Sequence, residues 1–369
     1  MNKVLHIVGG MGLGGTETFL MNIYRNIDRE KLQFDFVIYY KNKHNNYYEK
    51  EIRSLGGKIY YLNSSFNSLI FNLIRILRKE KYTALHTHTK FNGGISLIAA
   101  LVSNVKIRIA HSHNTGGNDS NSMLRRIYNL LMHFAINTFA TKYAACSKKA
   151  AEHLFTKRNI DKRYTFIPNA IDIEPFISSD DMHTNAMKSL LNIPINNKIV
   201  GHVGRYGKAK NHNFIVNMFS KLLKQDPNFS LILIGDGPTR PEIEAKINDL
   251  GIHKNVKVLG LRDDVPKLMN IFDVFILPSL YEGFGIVLLE AQACGLPCIV
   301  SENIQPEVDM GLDLIHKVNL NNTLLWIDTV NKNKNNKIYD KVKIKDKLLR
   351  SPFVVFSVVN QFYELYELN

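Results

Sequence analysis

Two textures alternate along the chain. Short runs that are almost wholly apolar give way to longer stretches in which apolar positions recur every three or four residues. The opening, "VLHIVGGMGLGGTETFLMNIYRNI", is an apolar run, a glycine loop, then a helical pattern with Phe19, Leu20, Ile23, Tyr24 and Ile27 on one face. From Ile199, "IVGHVGRYGKAKNHNFIVNMFSKLL" repeats that grammar, with Phe214, Ile215, Met218, Phe219 and Leu222 at helical spacing. Strand-like runs follow each opening: "FDFVIYY", "IYYL", "ALHTH", "RIAHSH", "YAACS" and "YTFIPNA", and later "LILIG", "VKVLG", "VFILPS" and "CIVS". Strands without polar alternation, separated by helices, indicate parallel sheets covered on both faces.

The pattern predicts an α/β protein of two Rossmann-like, doubly wound domains over residues 1–172 and 173–350. A terminal helix over 351–369 carries Phe356, Val359, Phe362, Tyr363 and Tyr366 and needs an apolar surface to cover. Ligands of such sheets sit at the carboxyl ends of the strands, so two facing domains imply a cleft. Residues 331–350 read as polar, basic and exposed.

Composition narrows the class. The 369 residues exceed one comfortable core, and 45% hydrophobic with 22% charged residues describe an ordinary globular chain. No uncharged apolar run approaches a membrane span, and the first residues enter a strand pattern directly, so no secretory signal is expected. Cys146, Cys294 and Cys298 make neither a disulfide framework nor a zinc spacing. A cytoplasmic location follows. The net charge of +14 is one-sided: residues 1–172 hold 25 Lys+Arg against 11 Asp+Glu, and the remainder balances at 22 each. An anionic partner suits that asymmetry, namely nucleic acid, an acidic membrane or a phosphorylated substrate. A surface that merely aids solubility accounts for it as well.

Gly10-Met11-Gly12-Leu13-Gly14-Gly15 satisfies the dinucleotide fingerprint, with Asp35 twenty residues after Gly15. The acid of that fingerprint belongs at the carboxyl end of the second strand, whereas Asp35 falls near its beginning. An NAD reading is therefore weak, while a glycine loop approaching some phosphate stands.

"YEGFGIVLLEAQACGLPCIVS" places Glu282 and Glu290 in an otherwise apolar stretch. On one continuous helix they would lie about 80° apart and form no pair. A strand ending near Ser279, a tight loop at Glu282-Gly283-Phe284-Gly285 and a helix starting near Ile286 explain them better. Carboxylates then accept bonds from sugar hydroxyls, and helix amides face a phosphate or sugar oxygen. Arg205 and Lys210, in the loop of "VGRYGKAKN", can clamp a diphosphate and offset leaving-group charge. Taken singly, each is an ordinary loop charge or helix position. Together at three strand ends they favour a nucleotide-sugar site.

These stretches, with "GDGP", "LGLRDDV", "PNAID" and "MGLGGTE" in the same order, resemble retaining glycosyltransferases of the two-Rossmann (GT-B) architecture, specifically glycosyltransferase family 4. "AHSHNT" and "SENIQPEV" resemble the subgroup that builds exopolysaccharides and capsules. The resemblance implies that Glu290 holds ribose hydroxyls and that Glu282 with the Gly283, Phe284 and Gly285 backbone contacts the donor sugar. It implies that Arg205 and Lys210 bind the diphosphate, that Leu261 and Arg262 face the base, and that Gly14 and Gly15 approach the phosphates. It also implies a last helix crossing back to the first domain, and metal-independent chemistry with no cofactor, consistent with the lack of any Asp-X-Asp triplet. Ala170 stands where the family usually has glycine.

In the first domain, alignment with the family's cleft histidine favours His113, followed by Asn114, as a partner of sugar, acceptor or breaking bond. His111 and His88 remain open, and His86 reads as an ordinary hydrogen-bonded residue. Metal ligation by these histidines stays open, although no acidic or cysteine partner accompanies them. "SMLRRIYNLLMHFAI", with Arg125 and Arg126 beside apolar positions, reads as a basic amphipathic helix able to meet an anionic membrane. The helix over 66–82 reads as ordinary sheet packing. The expectation is thus a sugar transferred from a nucleotide diphosphate donor, a UDP-sugar by resemblance, to a lipid-diphosphate-linked glycan at the inner membrane face. A UDP-sugar epimerase would instead release free sugar without an acceptor. A nucleic-acid binder would need interleaved aromatic platforms, which are absent.

Overall fold

The computed structural model describes residues 1–39, 47–62, 66–113, 122–177 and 181–368. Its chain divides into two compact units, Met1–Ala170 with Val355–Asn369, and Ile171–Val354. The second unit opens at Ile171 and closes at Val354, and these two residues form a parallel bridge, with the Ile171 amide donating to the Phe353 carbonyl at 3.1 Å.

The first unit is built on seven parallel strands: β1 (Asn2–Val8), β2 (Leu32–Ile38), β3 (Ile59–Tyr61), β4 (Ala84–Thr87), β5 (Ile107–Ser112), β6 (Lys142–Ala145) and β7 (Tyr164–Phe166). They lie in the order β3-β2-β1-β4-β5-β6-β7. The second has six: β8 (Lys198–Val203), β9 (Phe229–Ile234), β10 (Val256–Gly260), β11 (Val274–Leu277), β12 (Cys298–Ser301) and β13 (Ile315–Val318), in the order β10-β9-β8-β11-β12-β13. Strands β2, β4, β9, β11 and β12 are buried along their whole length, which is why they show no alternation in sequence. Strand order reverses between β1 and β4 and again between β8 and β11, and doubly wound sheets take ligands beside such points.

Two expectations need correction. Residues 331–350 are not simply an exposed polar stretch: helices Thr323–Asn333 and Lys341–Leu349 span most of them, and Ile344 and Leu348 are fully buried. The terminal helix, Val355–Leu365, belongs to the first unit and packs on helix Gly15–Asn26, as the resemblance implies; what needs correction is the make-up of its buried face. Its covered face is Val355, Val358, Val359, Phe362 and Leu365, followed by Tyr366. Phe356 lies off that face and is 74% exposed, because it falls on the opposite side of a 3.6-residue turn.

Candidate active site

In the second unit the reversal of strand order brings two loops together. After β8 runs Gly204-Arg205-Tyr206-Gly207, and after β11 runs Pro278 to Gly285. The Leu280 amide donates to the Ala209 carbonyl at 2.8 Å, and Asn211 Nδ2 donates to the Pro278 carbonyl at 3.2 Å. A third loop, after β9, is locked beneath the first. Gly235 has φ +132°, and a Cβ there would meet the Gly204 carbonyl oxygen at 2.1 Å.

On this base Lys210 Nζ forms an ion pair with Glu282 Oε1, both side chains largely buried. Ser279 Oγ donates to the same oxygen at 2.9 Å, and Gln305 Nε2 reaches the Glu282 carbonyl at 3.4 Å. Arg205 is exposed and has no ion-pair partner among the described residues. A fixed cation and a free one thus share a single loop, suited to a multiply charged anion.

Helix Ile286–Ala293 begins where the glycine loop predicts, because Gly285 takes φ +87°, which side chains rarely adopt. The helix then buries Val287, Leu288 and Leu289, while Glu290 stays half-buried one turn in. Burial pushes the Glu290 carboxyl up to about 8, and Lys210 opposes the rise. Near neutral pH this group can hold its proton, and so can both donate to and accept from a vicinal diol. At the edge of the sheet Leu261 is exposed, and Arg262 grips Asp264 with two bonds of 2.7 and 2.6 Å.

In the first unit the loop after β1 leads to exposed Gly14 and Gly15 at the start of helix Gly15–Asn26, a natural phosphate approach. Asp35 is buried within β2 and accepts from the Lys58 amide at 2.7 Å and the Tyr82 hydroxyl at 2.7 Å. It is consumed in the core and is not available to a ribose.

The histidines of β4 and β5 are all buried. His88 Nδ1 lies 2.8 Å from His113 Nε2, and His86 Nε2 lies 3.1 Å from His111 Nδ1. Burial drives His113 down to about 3, against a small opposing effect of Asn169, and drives His86, His88 and His111 well below the usual imidazole range. Asn114 lies outside the described residues.

Helix Met123–Phe139 turns only Met132, Ala135 and Ile136 inward. Met123, Leu124, Ile127, Leu131 and Phe134, which its periodicity singles out, are exposed, as is Leu130. Arg126 is also exposed, while Arg125 sits 5.3 Å over the Tyr128 ring.

Comparison with known proteins now bears on this arrangement. Residues 13–175 match the family described as Glycosyltransferase Family 4, and residues 185–310 match Glycosyl transferases group 1. EpsF of Bacillus subtilis (strain 168), named as a glycosyltransferase, is 37% identical over 335 residues, covering 89% of this chain and 86% of EpsF. The chain belongs to glycosyltransferase family 4. Among its relatives, the Escherichia coli UDP-Gal:alpha-D-GlcNAc-diphosphoundecaprenol alpha-1,3-galactosyltransferase is 26% identical over 81% of this chain and 79% of its own. Anabaena HepE in complex with UDP-glucose superposes with a TM-score of 0.79 at 18% identity, over the whole of both chains. That likeness establishes the two-domain GT-B fold for this family 4 glycosyltransferase.

Sequence reasoning missed Ser279 and Gln305 beside Glu282, and His6, Asn169 and Tyr366 beside the other histidines. His6 alone left a signal, as a histidine inside an apolar strand with His86 and His88 in the neighbouring run.

Proposed function

We propose that this glycosyltransferase transfers a sugar with retention from a UDP-sugar to a lipid-diphosphate-linked glycan in cell-surface polysaccharide assembly. The observation that carries this reading is the Lys210–Glu282 pair, flanked by Ser279, free Arg205 and the first-turn amides of helix Ile286–Ala293. Cations and amides suit a diphosphate, and the neighbouring carboxyl groups suit hydroxyls. The donor is supported by the E. coli relative, whose name specifies UDP-Gal, and by the UDP-glucose bound to HepE. The acceptor is supported by the same relative's diphosphoundecaprenol substrate. No metal enters the proposed chemistry.

The acceptor oxygen forms its bond to the anomeric carbon on the face from which the diphosphate departs. The anomeric carbon–oxygen bond breaks, and the acceptor proton passes to the leaving phosphate oxygen. Lys210 and Arg205 offset the charge gathering on the diphosphate, Glu282 orients the sugar, and Glu290 holds the ribose. Replacing Lys210 with alanine should lower turnover more than tenfold while the protein still folds; unchanged kinetics would refute its role.

The exposed apolar stripe of helix Met123–Phe139, with Arg126 beside it, supports docking on an anionic membrane, where a lipid-linked acceptor resides. No helix among the described residues is long and apolar enough to cross a membrane.

A further inference from the structure

Beneath helix Val355–Leu365 the buried polar groups of the first unit are not a loose cluster. Their hydrogen bonds join end to end. His111 Nδ1 meets His86 Nε2 at 3.1 Å, and His86 Nδ1 meets the Tyr366 hydroxyl at 2.7 Å. That hydroxyl meets His6 Nε2 at 3.4 Å, His6 Nδ1 meets His88 Nε2 at 3.0 Å, and His88 Nδ1 meets His113 Nε2 at 2.8 Å. Six groups drawn from β1, from β4 and β5 with the residues just past their ends, and from the tail form one unbranched chain. Aromatic rings of Phe19, Phe34 and Phe362 pack along it.

A neutral imidazole has one N–H and one bare nitrogen, and a phenol has one O–H. Each link needs one donor and one acceptor, so polarity passes unchanged through every imidazole. Tyr366 accepting from both neighbours would leave its own O–H buried without an acceptor, so only two states satisfy every link and also use that proton. Either all five histidines carry the proton on Nδ1 and Tyr366 donates to His6, or all five carry it on Nε2 and Tyr366 donates to His86. Burial depresses every one of these imidazoles and raises the Tyr366 phenol, so a neutral chain is the form present near pH 7.

The two ends select the state. At one end His111 Nε2 is buried and has no partner among the described residues; at the other, His113 Nδ1 and the Asn169 side-chain oxygen are both buried and unbonded. The all-Nδ1 state gives His113 a proton to direct at Asn169 and leaves only a bare acceptor at His111. The all-Nε2 state would leave an N–H buried without an acceptor at His111 and two bare acceptors facing each other at His113. Buried orphan N–H groups are the rarer and costlier defect.

We propose that the six groups form a single-polarity hydrogen-bond chain which fixes His113 in its Nδ1–H tautomer, making it a hydrogen-bond donor and not a base. His6, His86, His88, His111 and Tyr366 are positioning residues that act through it. The catalytic meaning rests on the reading of His113 as the first unit's reacting-end residue: its target is then an oxygen acceptor, such as a sugar hydroxyl or ring oxygen. The tautomer pattern itself does not depend on that reading.

The test is long-range proton–nitrogen NMR of the histidine-labelled full chain, assigned by single His→Gln variants. Wild type should show all five imidazoles as Nδ1–H, with none of them titrating between about pH 5 and 8. Replacing Asn169 with leucine removes the acceptor that selects the polarity, so all five should lose the Nδ1–H form by the same fraction. Asn169→Asp, which keeps an acceptor, should restore the wild-type spectrum. Mixed tautomers in wild type would overturn the proposal. A change confined to His113 in Asn169→Leu would overturn it too, as would stoichiometric zinc or copper on these nitrogens, since a coordinated nitrogen cannot belong to the chain. If the spectra fit but no nucleotide sugar supports transfer, the functional reading fails and the chain stands.

Discussion

Glu290 shows what a residue's surroundings add to its identity. The sequence separates it from Glu282, because Gly283 and Gly285 break the apolar run between them. Its environment is not legible there: the desolvation comes from the helix packing and the countering charge from Lys210, eighty positions earlier. The distant partners of Glu282 were hidden for the same reason, since no local spacing brings Lys210 to its carboxylate or Gln305 to its backbone carbonyl. The raised carboxyl makes a prediction about stability. The folded form binds this proton more tightly than the unfolded chain, so its contribution is present below the ordinary glutamate value and is lost as pH rises toward about 8. Glu290→Gln has no such loss. Between pH 5 and 8, ligand-free wild type should therefore lose about 2 kcal/mol or more relative to Glu290→Gln in denaturant unfolding. Parallel curves for the two proteins would show that Glu290 ionises as an ordinary glutamate.

At the scale of elements, buried strands and the glycine loops that end them were readable because their composition is extreme. Strand β13, "IHKV", was not read: it is a short edge strand whose first three positions are only partly buried or exposed, so its sequence lacks the apolar run. Helix Lys341–Leu349 was obscured because Ile344 and Leu348 alone among its residues are buried. Helix Met123–Phe139 departs from ordinary helix-on-sheet packing. Periodicity identifies an apolar stripe, and ordinary packing would turn that stripe inward, yet the structure leaves it in solvent. Its exposure predicts binding to anionic vesicles at low salt and release at high salt. Leu124, Leu130 and Phe134 changed together to serine should weaken that binding at least tenfold without altering the melting temperature. Equal binding to neutral vesicles would remove the electrostatic part of the account.

At the scale of the molecule, the charge asymmetry read from the sequence survives the true unit boundaries. The first unit, with its returning tail, holds 25 Lys+Arg against 12 Asp+Glu, and the second 22 against 21. The tail helix supplies part of the first unit's core. Six apolar or aromatic side chains, Val355, Val358, Val359, Phe362, Leu365 and Tyr366, are buried there, and each contributes about 1.5–3 kcal/mol. That total is comparable to the whole stability of a typical domain. A chain ending at Val354 should therefore keep a cooperative transition for Ile171–Val354 and lose the one belonging to the first unit, as differential calorimetry would show.

The same arrangement dictates an order of events during synthesis. Residues 1–170 emerge from the ribosome first, but the strip that closes over their imidazoles is translated only after the whole of Ile171–Val354. The amino-terminal half must wait, half-finished and with aromatic rings uncovered, while the later half matures ahead of it. Nascent-chain protection should thus appear in reverse of the reading frame, and the early half is where a chaperone has reason to linger.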